Sequence, residues 1–161
     1  FGALMHLIAH SLTKTLMFFS AGNVIQKYGT REMREIKGLG RTMPVTAGLL
    51  IAGMAAIAGT PPFAIFIGEF FILSGALASG AYVPAGLFLL LIVAVFAGIT
   101  YRVLGMCSGE PQEGVSEGEI GRWRLLPMGV LAITVLVLGI YQPGPLMDAI
   151  SAIGRLFGVS I

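Results

Sequence analysis

Charge is what this chain has least of: 11% of its 161 residues are Asp, Glu, Lys or Arg, less than half the usual share. Aspartate, cysteine and tryptophan each occur once, as Asp148, Cys107 and Trp123. A single cysteine excludes a disulfide framework, a cysteine metal site and an iron–sulfur cluster held by this chain. Without a partner motif Cys107 reads as a small apolar residue near a helix end. Neither a Walker loop nor a dinucleotide fingerprint is present, so no independent catalytic chemistry is signalled and no nucleic-acid partner is expected. Hydrophobic residues make up 56% of the sequence, in runs too long and uniform for a soluble core. The expectation is an integral membrane protein. Because it opens on Phe1 inside an apolar pattern with no positive flank, unlike a signal peptide, it is expected to be the C-terminal piece of a longer membrane chain.

Four membrane-crossing segments can be counted. The first covers residues 2–25, followed by a basic loop, residues 26–43, with Lys27, Arg31, Arg34, Lys37 and Arg41 against Glu32 and Glu35. The second covers residues 44–79, and the third residues 82–105. A polar loop, residues 106–124, leads to the fourth, residues 125–141. In the tail, residues 143–161, Leu146, Ile150, Ile153 and Phe157 recur at helical spacing, which predicts an interfacial helix.

Charge placement orients these segments. If the Lys27–Arg41 loop is cytoplasmic, two crossings return the chain to that side at Arg102, Arg122 and Arg124, as the positive-inside rule requires. The intervening connection, "SGALASGAYVP", carries no charge, and the acidic Glu110, Glu113, Glu117 and Glu119 weigh little in the rule. Tyr28, Tyr82, Tyr101, Trp123 and Tyr141 each fall at a predicted segment end, where aromatic belts sit.

Within the first segment the only ionisable side chains are His6, His10 and Lys14. Spacings of four place them on one helical face, about 6 Å apart along the axis, with a drift of about 40° per step. Lysine at bilayer depth is costly unless it meets a partner or a wet cavity, so the ladder reads as functional. The second segment contains its own interruption, "AIAGTPPFAIFIGEF". Gly59, Thr60, Pro61 and Pro62 break an ordinary helix, because the prolines lack an N–H and push the preceding residue out of the α region. A simple proline kink and a functional break are both compatible with that pattern; two half-helices meeting near the midplane are a recurrent ion-site device. Glu69 tips the balance, lying between "FIG" and "FFIL", where a carboxylate needs a charge or water partner. Its structural alternative is a buried pair acting as bundle glue, which contributes little net stability.

Histidine and lysine suit a proton relay because burial and neighbours tune their charge at modest cost. His6 and His10 also match half of a zinc site, but no Glu follows the first histidine and no third ligand is visible. Ser11, Thr13 and Asn23 either line the same polar seam or satisfy neighbouring helix backbones.

"HLIAHSLTKTLMFFSAGN", "IKGLGRTMP" and "AGTPPFAIFIGEFFIL" resemble the antiporter-like, proton-translocating membrane subunits of the complex I superfamily, with wording most similar to the F component of hydrogenase-4 and formate hydrogenlyase. The likeness covers residues 1–80; beyond Gly80 the sequence is generically membrane-like. It implies an all-α bundle of two inverted repeats, each with a broken helix, of which this chain forms the last part. His6, His10 and Lys14 would match the central titratable helix, and Glu69 the charged position on the broken helix where some relatives carry lysine. The implied function is proton translocation in the prokaryotic inner membrane as part of a group 4 nickel–iron hydrogenase or an NADH–quinone oxidoreductase-like complex, driven by redox chemistry in partner subunits: other membrane subunits and a soluble arm. A nickel–iron centre and iron–sulfur clusters would lie in those partners and no cofactor in this chain. A Na+/H+ antiporter subunit and a non-pumping hydrogenase anchor are the alternatives. The first repeat's lysine–glutamate pair is absent from this piece, so it is not expected to pump alone.

Overall fold

The stretch poorest in helix breakers makes the longest helix. In the computed structural model, which describes residues 1–156, α1 runs Gly2–Tyr28 and ends where Gly29 turns left-handed (φ 69°) and donates its N–H to Ile25 O. Six more helices follow: α2 Leu39–Thr42, α3 Pro44–Ile57, α4 Ala64–Ala78, α5 Tyr82–Cys107, α6 Arg122–Ile140 and α7 Gly144–Leu156. The described residues are therefore helices and connecting loops alone. Two helices, α5 and α6 (26 and 19 residues), are long and apolar enough to cross a membrane, whereas α3 and α4 are apolar but shorter. At 27 residues, α1 reaches about 40 Å.

α1 is the central strut, packed against α3, α4 and α6. Residues 58–63, between α3 and α4, are not helical. Gly59 takes φ 67°, Thr60 donates both its N–H (3.1 Å) and its hydroxyl (2.6 Å) to Ala55 O, and Phe63 N–H bonds Thr60 O at 3.1 Å. From the other side α6 closes on this stretch through Gly139. A Cβ there would overlap Pro62 O and lie 2.5 Å from the Phe63 carbonyl carbon, so only glycine lets α6 seat on the irregular backbone.

The two polar loops form one layer at one end of the bundle. Gly38 N–H bonds Ser108 O (3.0 Å), Gly118 N–H bonds Thr42 O (2.8 Å), and Lys27 Nζ donates to Gly118 O (2.8 Å). Arg41 pairs with Glu110 at 2.7 Å. Glu119 accepts the backbone N–H groups of Val45 (2.8 Å) and Thr46 (3.0 Å) and the Thr46 hydroxyl (2.5 Å). Those donors are the free end of α3, which Met43 at the N-cap cannot serve. Glu119 is thus a remote N-cap, and its charge suits the positive end of the helix dipole.

Some expectations are refined. α1 continues three residues past 25 to Tyr28, and α6 begins at Arg122 rather than 125, taking Trp123 and Arg124 into its first turn. Tyr28 is not a belt residue: it is 8% exposed, and its hydroxyl bonds Lys37 O (2.8 Å) and Thr42 Oγ1 (2.7 Å), tying the end of α1 to α2. A tyrosine at a helix end serves either role, and here a backbone carbonyl lies within reach. In α7, Ile150 is buried in the core cluster that holds Met5, Ala64 and Val135, and Leu146 packs against that cluster, while Ile153 is half-exposed and Phe157 lies outside the described residues.

Candidate functional site

Glycine sets how close the titratable residues come. Where α1 crosses α4, a Cβ on Gly68 would lie 2.7 Å from His6 Cβ and 2.8 Å from His6 Cα and N. On the next turn a Cβ on Gly2 would lie 2.8 Å from Gly68 O and Ile72 N. The two backbones therefore touch, and His6 stands beside the turn that carries Glu69. A glycine inside a helix costs about 1 kcal/mol relative to alanine, so its presence there has a packing reason.

Along α1 the rings of His6 and His10 stack at 5.7 Å between centroids and 19° between planes. Among the described residues, buried His6 Nδ1 has no hydrogen-bond partner. One turn on, Lys14 is exposed, with Nζ 5.9 Å from the Phe18 ring centroid. Glu69, half-buried, rests its carboxylate on the interrupted backbone: a Cβ at Gly59 would overlap Glu69 Oε2 and lie 2.7 Å from its carboxyl carbon. His6, His10, Lys14 and Glu69 line one cleft of about 320 Å³, walled by Ile57 and Ala58 and by the apolar flank of α5. Lys14 and Glu69 do not pair; the one ion pair among the described residues is Arg41–Glu110.

Four titratable side chains thus share one space without neutralising one another. Three groups on one helix face, with the fourth brought from α4, suit stepwise transfer through water rather than a fixed salt bridge. Thr60, Pro61 and Pro62 do not line the cleft; Gly59 touches Glu69 directly. Ser11 and Thr13 bond their own helix, at Leu7 O and Ala9 O (both 2.8 Å), and Asn23 Nδ2 faces Met128 Sδ at 3.4 Å on α6. Those three satisfy backbone and neighbour, not the cleft. Among the described residues no three His, Cys, Asp or Glu side chains gather as a metal-holding group. Sequence reasoning passed over Gly68, Gly139 and Glu119. A glycine immediately before an acid in an apolar run was an available signal; Glu119 and Gly139 meet their partners across long stretches of chain and gave none.

Residues 1–98 match the family described as "NADH:quinone oxidoreductase/Mrp antiporter, TM". Among curated relatives, a hydrogenase-4 component F homolog from Methylacidiphilum infernorum is 34% identical over 143 residues, covering 89% of this chain and 29% of that protein. An NADH-quinone oxidoreductase subunit N from Desulforudis audaxviator is 32% identical over 158 residues, covering 88% and 31%. A putative antiporter subunit mnhD2 from Staphylococcus saprophyticus is 30% identical over 146 residues, covering 88% and 29%. The chain therefore spans about three tenths of the length of the relatives it matches. In fold it is similar to a chain of the Mrp complex from Dietzia sp. DQ12-45-1b, with a TM-score of 0.78 at 20% identity over 86% of this chain and 34% of that one. With the helical architecture and the matched residues together, this chain belongs to the NADH:quinone oxidoreductase/Mrp antiporter transmembrane family.

Proposed function

We propose that this chain is part of a proton-translocating membrane subunit of a redox-driven complex, and that His6, His10, Lys14 and Glu69 carry the proton through bound water. The observation that supports the reading most is the shared cleft of those four side chains beside the non-helical stretch 58–63. Four crossings are assigned: α1, α3 with α4 as one broken helix, α5 and α6. The bonds between residues 27–46 and residues 108–119 put both polar loops at one end, in keeping with two crossings between them. Their arginines and lysines support a cytoplasmic position for that end, with the chain in the inner membrane of a prokaryotic cell. Relatives named hydrogenase-4 component F and NADH-quinone oxidoreductase subunit N support a soluble redox arm in the complex. That arm would hold any nickel–iron centre and iron–sulfur clusters, and its electron transfer would supply the energy by shifting the charge state of Lys14.

The putative antiporter subunit among the relatives supports a second reading, Na+/H+ exchange. A carboxylate such as Glu69, which lies against the Gly59 turn, accepts either ion. The discriminating measurement is donor-driven proton uptake by inverted vesicles holding the full complex, with and without sodium. Uptake undiminished in sodium-free buffer is expected. Uptake that vanishes without sodium would establish exchange, and none under either condition would leave a membrane anchor.

A further inference from the structure

Three cations on the polar end of the molecule converge without acids. Arg34 and Lys37 from the basic loop and Arg102 from the last turns of α5 line a cleft of about 360 Å³, closed by Tyr101 and Gly105. Lys37 Nζ donates to Gly105 O at 3.1 Å, and the Arg102 guanidinium lies 5.8 Å from the Tyr101 ring centroid. Among the described residues none of the three forms an ion pair. The nearest acids in sequence, Glu32 and Glu35, do not line this cleft, and Glu35 instead takes the Thr30 hydroxyl at 2.6 Å.

A groove of different character adjoins it. Met33 and Arg102 belong to both spaces, and beyond them the walls are Met17, Val95, Gly98, Ile99 and Val103. Val95, Gly98, Ile99 and Arg102 share one face of α5, so the groove runs about 10 Å down the helix from the guanidinium. A Cβ on Gly98 would meet nothing within 4 Å, which leaves the groove floor open. Cations at a predicted interface, beside an apolar trough that runs toward the bilayer interior, have the polarity of a phospholipid.

We propose that this cleft and groove bind an anionic phospholipid, its phosphate among Arg34, Lys37 and Arg102 and one acyl chain along Val95, Gly98 and Ile99. A free phosphate would satisfy the cations but leave the groove empty, and a zwitterionic lipid would bring its own cation against three others. The inference rests on α5 crossing the bilayer. It adds a consequence: Val95 and Ile99 also line the cleft of His6, His10, Lys14 and Glu69, so the acyl chain would wall that cleft on its α5 side.

The test is photolabelling of the full complex in vesicles, using phosphatidylglycerol and phosphatidylcholine that carry the same photoactivatable acyl chain, with labelled residues of this chain mapped. The anionic probe should label residues 95–103 in preference to the zwitterionic one. Neutralisation by Arg34→Gln, Lys37→Gln or Arg102→Gln should weaken that preference about fivefold each. In the unaltered protein, unlabelled phosphatidylglycerol should compete, and millimolar inorganic phosphate should not. Equal labelling by both probes, or loss of labelling with inorganic phosphate, would overturn the proposal. So would an unlabelled α5 beside labelled Val130 and Ile133 on α6, because a protein partner would then cover the groove. If neither helix is labelled, it is the membrane-crossing assignment that fails.

Discussion

A Gly68→Val subunit should be lost from the assembled complex. An added Cβ there meets the backbone of α1, not the flexible end of a side chain, at 2.8 Å from His6 Cα and N. The neighbour cannot yield without moving the whole helix, and α1 is the strut on which α3, α4 and α6 all pack. Overpacking of this kind costs about 1–3 kcal/mol and occasionally more, a large fraction of a marginal stability. Gly75→Val on the same helix is the matched control, because a Cβ at Gly75 meets nothing within 4 Å. Blue-native electrophoresis of solubilised membranes should show the full complex for Gly75→Val and a subcomplex for Gly68→Val. Equal yields would mean that α1 and α4 do not touch as described.

Gly59→Ala should silence ion transport without removing a titratable group. Two effects act together. At φ 67° an alanine is strained by about 1–2 kcal/mol, and its methyl would take the space of Glu69 Oε2. The carboxylate must then turn away from the broken backbone. Transfer falls by about a hundredfold, the scale on which a misplacement of an ångström acts on a reacting group. Donor-driven proton uptake, normalised to assembled complex, reads this directly. Full activity in Gly59→Ala would place the functional carboxylate elsewhere.

Local chemistry was legible in the sequence, and long-range contact was not. The all-helical membrane class followed from apolar runs and scarce charge, and the family from the motifs in residues 1–80. The common face of His6, His10 and Lys14 on α1 follows from spacing alone, since one helix carries all three. What brings Glu69 to them is a chain reversal and a glycine contact between α4 and α1, and no periodicity encodes which glycine of many lies at a crossing. Tyr28 illustrates the same limit. Its position at a helix end was plain, but whether its hydroxyl faced lipid headgroups or Lys37 O depended on where the following loop turned. Glu119 was the largest omission. Acids weigh little in an orientation rule, yet this one holds the open end of α3 from more than seventy residues away.

These contacts give Glu69 two neighbours of different kinds: a backbone turn that only glycine permits, and a column of ionisable groups on α1 that it faces without pairing. Protons are therefore expected to pass that carboxylate. The decisive experiment is proton uptake into inverted vesicles holding the full complex, driven by its electron donor, with wild type compared against Glu69→Gln. Glutamine keeps the size and shape of the side chain but cannot take up and release a proton. The expected result is a complex assembled at the wild-type level with its proton gradient gone; an unchanged gradient would contradict the relay and reduce His6, His10, Lys14 and Glu69 to packing.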